Sequence, residues 1–215
     1  MNPIALIVTY QFGQNSKMII TFQVCFSDES TLKILMDKSQ FVRRRTGEKY
    51  KDECIVKTVK HPLSIMVWSI ISSQGPGRLY IVEGTMRQDQ YLRVLKTKML
   101  PLVQKWFPNK QYTFMHDSAP CHKARTVSKF LSDNQVKVLD WPGNSPDLNP
   151  IENLWKLMKK RIATEIITNK RRLIERLIEV WHRSEAIKEN CLKCIESMTR
   201  KCQAVIDAKG EVTKY

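Results

Sequence analysis

"MHDSAPCHKARTVSKFLSDNQVKVLDWPGNSPDLNPIENLW", Met115 to Trp155, decides how the rest of the chain is read. The short apolar run "QYTFM" ends at an isolated acid, Asp117. A basic amphipathic segment follows, then a second β-like run, a Pro/Asn loop, and a helix that opens on Glu152. Val127, Phe130 and Leu131 share one side of "KARTVSKFLSDN", which predicts a helix, and "VKVLDWP" predicts the strand after it. Strand, helix, strand predicts a parallel crossover, with Asp117 at the carboxyl edge of a sheet, where α/β proteins place their ligands. In "IENLWKLMKKRI", Ile151, Leu154, Trp155, Met158 and Ile162 form an apolar stripe, with Glu152 on its rim beside Lys156 and Lys159.

Upstream, "KMIITFQVCFSDES" reads as a strand that ends at a turn-forming Ser-Asp-Glu-Ser cluster, which places Asp28 at a strand end. "TLKIL", "FVRRR", "CIVKTV", "LSIMVWSIIS" and "RLYIVEG" follow as short β-like runs, with "SQGPG" as a turn, and predict an antiparallel meander. "MRQDQYLRVLKTKMLPLVQKWF" switches to helical spacing, with Tyr91, Leu92, Leu95, Met99, Leu102 and Val103 on one side and Pro101 expected to kink or split it. From Thr168 onward the chain is charged and helical, with Gly210 as a stop signal. The layout is mixed α/β.

Composition narrows the partners. Lys and Arg number 36 against 21 Asp and Glu, a net charge of +15 that draws in polyanions and makes nucleic acid the leading partner. A merely solvated basic surface is the plain alternative. No run approaches the roughly 18 apolar residues of a membrane span, and "MNPIALIVTYQFG" lacks the basic flank and cleavage site of a secretory signal. No membrane partner is expected. Six scattered cysteines fit a reduced compartment, and the single CxxC of Cys191 and Cys194 lacks the further ligands of a structural zinc site.

Two-metal cleavage of a phosphodiester needs hard oxygen ligands that hold two divalent ions roughly 3.5 to 4 Å apart. Asp28, Asp117 and Glu152, each at the end of a rigid element, are candidates for that set. Local readings compete. Asn149 fits a helix cap with Pro150 in the first position and Glu152 reaching back to it; Asp28 fits a turn; Asp117 fits the cap of the helix after it. His116 and His122 fit packed or solvated rings, and Cys121 beside His122 is only a weak thiol-nucleophile signal.

"FSDES", "HDSAPCH" and "DWPGNSPDLNPIENLW" resemble the catalytic core of the Tc/mariner superfamily of transposases, in the branch with two Asp and one Glu. The resemblance runs from about Ile19 to the end, including "RRTGEKY" and "AKGEVTKY", and 34 residues lie between Asp117 and Glu152, the interval of that branch. It implies a ribonuclease H-like mixed sheet flanked by helices, with a helical C-terminal extension. It also implies a metal-binding triad of Asp28, Asp117 and Glu152, with two Mg²⁺ or Mn²⁺ ions, cleavage of transposon ends, and strand transfer into target DNA. Relatives carry a helix-turn-helix half before this core. Only 27 residues precede Asp28, so that half is expected to be missing. Ser69 stands where Gly is typical after "VW", and Arg43 where Trp is common.

The expected organisation is a short segment at 1–17, a catalytic domain at 18–165 and a helical extension at 166–215. Arg43, Arg44, Arg45, Lys123, Arg125, Lys156, Lys159 and Lys160 are the candidate phosphate contacts. Double-stranded DNA is the expected partner, with a second copy or a full-length transposase as a further one, and the nucleus is the expected location. The competing expectation is a truncated or domesticated remnant that binds DNA without cutting it.

Overall fold

β1 runs unbroken from Val24 to Ile34, through the acids that were expected to turn. The computed structural model describes residues 23–34, 63–141, 148–165, 167 and 169–208. The expected strand start before residue 23, "FVRRR" with Arg43 to Arg45, "CIVKTV", most of the Pro/Asn loop and Gly210 lie outside the described residues. "FSDES" stays in the sheet because β2 (Leu63–Ser72) pairs with it in an unbroken antiparallel register, Ser27 with Ile70, Asp28 with Ser69, and Glu29 with Trp68. Ladder hydrogen bonds outweigh the turn preference of Ser and Asp, whose side chains find partners on either face. "TLKI" is therefore the second half of β1, not a separate strand, and Asp28 is a mid-strand residue.

Two short strands return along the other edge of β2: β3 (Gly75–Pro76) and β4 (Tyr80–Val82). Their registers, Ile71 with Pro76 and Trp68 with Tyr80, differ by one residue, which is the mark of a bulge between them. Gly77 sits in that bulge, where an added Cβ would meet side-chain carbons of Ile70 and Leu102 at 2.7 and 2.8 Å. Ser69, in place of the expected Gly, is fully buried and donates through Oγ to the Arg78 carbonyl at 3.2 Å. The hairpin accommodates it.

β5 (Thr113–Met115) lies parallel to β1, and the sheet order is β3-β2-β1-β5, with β4 also on β2. The strand expected from "VKVLDWP" is reduced to a single parallel bridge between Phe114 and Val138. Only the hydrogen bonds on either side of Phe114 form, because three-residue β5 offers no longer ladder. The crossover is nonetheless parallel.

Helices α1 (Gln88–Val94) and α2 (Leu100–Trp106) are joined by a π-helical turn, Leu95–Met99. The helical run does not break at Pro101. Pro cannot donate to the preceding turn and crowds its carbonyl, and the widened turn just before it absorbs that misfit. Tyr91, Leu95, Met99 and Val103 are buried, as their spacing predicts, with Leu92 and Leu102 half-buried. α3 (Arg125–Asp133) follows, then α4 (Ile151–Ile162), α5 (Lys170–Arg183) and α6 (Glu185–Asp207).

Strand alternation divides the core into two layers. Val24 and Phe26 of β1 join Val67 of β2 and the apolar stripes of α4, α5 and α6. Cys25 joins Trp68, Ile70, the α1–α2 run and α3 on the other face. The two C-terminal helices thus share the first core: Trp181 stacks on Trp155 at 4.8 Å and donates to the Gly77 carbonyl at 2.8 Å. No helix among the described residues is long and apolar enough to cross a membrane.

Candidate catalytic site

The site lies where β5 stops short beside β1. Their last pair is Phe26 with Met115, and Asp28 and Asp117 each follow two residues later. Ser27 Oγ donates to the Met115 carbonyl at 2.9 Å and ties the strands together at this point. The two aspartates therefore emerge side by side on backbone that the sheet holds.

Even-numbered residues of β1 face α4 and odd-numbered ones face α1 and α3, so Asp28 and Glu29 point to opposite sides of the sheet. Asp28 Oδ2 accepts from the Trp155 indole at 3.0 Å. Burial, and then the charges of Glu29 and Glu152, push the Asp28 carboxyl up to about 8, against the opposing hydrogen bond from Trp155. Asp28 is thus a carboxylate with acidic neighbours and too few donors.

Glu152 lies in the first turn of α4, half-buried. Asn149 does act at this helix start, but its Oδ1 accepts from the Ile151 amide at 3.4 Å, one position earlier than in the expected capping box. Among the described residues no hydrogen bond returns the Glu152 carboxylate to Asn149, so its side chain is not consumed by the cap.

Asp117 is half-exposed and makes a local turn, with Oδ1 accepting from the Ala119 amide at 2.9 Å. It does not cap α3, which starts at Arg125. The same Oδ1 lies 2.6 Å from His122 Nδ1. The bond from His122, and less so the Ala119 amide, hold the Asp117 carboxyl below its usual range although burial opposes them.

Sequence reasoning left the cluster behind Asp117 undetected. His122 is 3% exposed, with Nε2 3.3 Å from Glu29 Oε1, an ionic contact lying off the line of a hydrogen bond. Burial disfavours charge on this ring, but its contacts with Asp117 and Glu29 favour the imidazolium and raise it to about 10. His116 goes the other way, to about 4, through burial and then the charge of His122, and its Nδ1 pairs with the Tyr91 hydroxyl at 2.9 Å. Tyr91 also covers the His122 ring at 4.0 Å between centroids. The missed signal was strand alternation: once β1 continues through "SDES", Glu29 must face away from Asp28.

Lys123, Arg125, Lys156, Lys159 and Lys160 are all exposed, and none has an ion pair among the described residues. A cavity of about 250 Å³ lined by Trp68, Arg78, Thr97, Lys98, Pro101, Leu102 and Lys105 holds none of the three acids. The acids instead occupy the open sheet edge.

Residues 23–174 match the DDE superfamily endonuclease family. The Tc1 transposase of Caenorhabditis elegans is 36% identical over 193 residues, which cover 88% of this chain and 69% of that protein. The chain belongs to the DDE endonuclease family of Tc1-type transposases. The Tcb1 transposase of Caenorhabditis briggsae is 34% identical over 192 residues, with the same shares covered. Among solved structures, a Mos1 transposase catalytic domain with raltegravir and Mg aligns at a TM-score of 0.72 and 16% identity, over 98% of this chain and 94% of that one. A Mos1 mariner paired-end complex with Mn aligns at 0.78 and 17%, over all of this chain and 65% of that one. These neighbours establish the ribonuclease H-like fold: a mixed sheet between helical layers, as expected from the family motifs. This transposase catalytic domain is a metal-dependent DNA endonuclease by family.

Among the described residues, no three His, Cys, Asp or Glu side chains converge closely enough to enclose a metal ion as they stand. Asp28 is turned to Trp155 and Asp117 to His122. The chemistry of the donor set nevertheless fits a divalent cation. All three candidates are hard carboxylate oxygens, and the mutual charge of Asp28 and Glu152 is the kind that a cation relieves.

Proposed function

We propose that Asp28, Asp117 and Glu152 hold two divalent ions, Mg²⁺ or Mn²⁺, and that the domain cuts DNA at transposon ends and joins the freed 3′-hydroxyl to target DNA. The observation that carries this reading is the placement of Asp28 and Asp117 side by side, each two residues past the last β1–β5 pair, with the Asp28 carboxyl raised by burial and then by the charges of Glu29 and Glu152. Bound ions would supply activation of the nucleophile and stabilisation of the leaving oxygen. The chain's own residues supply the rest. Trp155 orients Asp28, and the Ala119 amide and His122 orient Asp117.

Lys123 and Arg125 on one side, and Lys156, Lys159 and Lys160 on the other, are assigned to the phosphate backbone, as are Arg43, Arg44 and Arg45 from sequence. Exposure, without an ion pair among the described residues, supports the five that are described. Double-stranded DNA, both transposon ends and target, is the substrate. The Mos1 complexes with transposon ends support that choice by likeness of fold. A second copy, or a full-length transposase, is the proposed protein partner, and the nucleus is the proposed site of action because the substrate is chromosomal.

Nicking of supercoiled plasmid at low salt, in Mg²⁺ and then Mn²⁺, tests the reading. Wild type should nick, and Asp117→Asn should lose about a thousandfold while still binding DNA. Salt-sensitive binding by both proteins with nicking by neither would favour the DNA-binding remnant.

A further inference from the structure

We infer that His122 is a positioning residue for Asp117, braced from behind by Glu29, so that β1 sets the place of both catalytic aspartates. The inference rests on the proposed metal-binding triad and assigns a task to two residues outside it.

Asp117 is the most exposed of the candidate ligands, with 53% of its side chain open to solvent, and it follows a strand of only three residues. A free aspartate there would sample several rotamers. Instead Oδ1 accepts from the Ala119 amide, at 2.9 Å, and lies in ionic contact with His122 Nδ1, at 2.6 Å, which also pairs with the Asp117 carbonyl at 3.3 Å. A donor and an ionic contact on one oxygen restrict the carboxylate and leave Oδ2 as the oxygen available to an ion. Donors that hold a ligating carboxylate in this way set metal affinity as well as geometry.

A positioning group must itself be immobile. The His122 ring is almost completely buried, covered by Tyr91 at 4.0 Å with a tilt of 32° and stacked on His116 at 5.2 Å. Its remaining nitrogen, Nε2, meets Glu29 Oε1 at 3.3 Å. Both nitrogens are therefore in contact with carboxylates, one carried on β1 and the other just past the end of β5.

Glu29 is the neighbour of Asp28 and lies opposite Trp68 in the sheet. Because adjacent strand residues face opposite sides, β1 presents Asp28 toward α4 and, through Glu29 and His122, holds Asp117 from the other side. A shift of β1 would move both aspartates together. Glu29 is thus an acid at the site whose place is behind a ligand rather than on the metal.

The test is the Mn²⁺ dissociation constant of metal-free protein, followed by the electron paramagnetic resonance of free Mn²⁺, with melting temperature measured alongside. Asn at position 122 puts an amide nitrogen near the place of Nδ1, whereas Gln puts one near the place of Nε2. His122→Gln should therefore weaken Mn²⁺ about 10- to 100-fold, His122→Asn by no more than about threefold, and Glu29→Gln by about tenfold. Glu29→Gln keeps shape and an acceptor, and so gives a readout if the buried ring tolerates neither replacement.

Equal weakening by His122→Asn and His122→Gln, or none by either, would overturn the inference and leave the ring a packing role. So would Glu29→Gln binding Mn²⁺ like wild type. Asp117→Asn is the control for the triad. If it binds Mn²⁺ as tightly as wild type, the triad reading itself fails, and this inference with it.

Discussion

Asp28 and Glu29 are adjacent acids on one strand, yet the two faces of β1 treat them differently. On the α4 face, Asp28 meets an indole donor, and burial, followed by the charges of Glu29 and Glu152, raises its carboxyl to about 8. On the α1 and α3 face, Glu29 meets the His122 imidazolium, which also holds Asp117. One face leaves a carboxylate short of cations; the other supplies a cation from the protein. The difference teaches how neighbouring acids on one strand come to differ: on the α4 face of the proposed metal site Asp28 lacks a cationic partner, whereas Glu29 has one that also contacts Asp117.

The strongest way to break this comparison is to neutralise each acid in turn. Asp28→Asn should cost about a thousandfold in metal-dependent nicking, against about tenfold for Glu29→Gln. Equal losses in single-turnover assays would erase the distinction between the faces.

A second approach uses stability without metal. The raised carboxyl of Asp28 binds a proton in the folded state that the unfolded chain releases near pH 4. Its contribution therefore falls as pH rises from about 4 to about 8 and is level above that. Asp28→Asn should flatten this slope in denaturant melts across that window and stabilise the metal-free protein at pH 8 by up to about 3 kcal/mol. An unchanged slope would mean that the α4 face does not strain Asp28.

Trp155→Phe sharpens the comparison by removing the donor to Asp28 while keeping an aromatic ring against Trp181. The melt midpoint should fall by the equivalent of about 1–2 kcal/mol. The titration of Asp28, followed by carboxyl NMR, should move higher because a stabilising bond to the charged form is gone.

The smallest effects come from the basic residues on the two sides. Replacing Lys123 and Arg125 by Ala, or Lys156 and Lys159, should each lower the log–log salt slope of DNA binding by about 1.8, or about 0.9 per phosphate contact. Equal changes would place the duplex across both faces; an effect confined to one pair would assign the DNA to that side.

Much of the fold is legible from pattern. The stripe Ile151, Leu154, Trp155, Met158 and Ile162 is buried without exception, because helical spacing directly selects a core face. The hairpin turn and the parallel crossover are legible for similar local reasons. Two strand readings changed for opposite reasons. "SDES" looks like a turn but is held by nine register pairs between β1 and β2. "VKVLD" looks like a strand but has only Phe114 to pair with. Pairing partners, not local preference, decide both cases.

The sequence by itself determined the family and the alternating helical and strand faces, and it nominated the three acids of the proposed site, since motif spacing and hydrophobic period are local properties of the chain. Only the tertiary structure decided that Asp28 stands in mid-strand against Trp155, and that Glu29 reaches His122 across the sheet and so touches Asp117. The contacts of Asp28 with Trp155 and of Glu29 with His122 join residues 127 and 93 positions apart. They exist only once the long-range packing of strands and helices has brought the backbones together, and burial there, rather than residue type, sets whether a carboxyl is strained or satisfied.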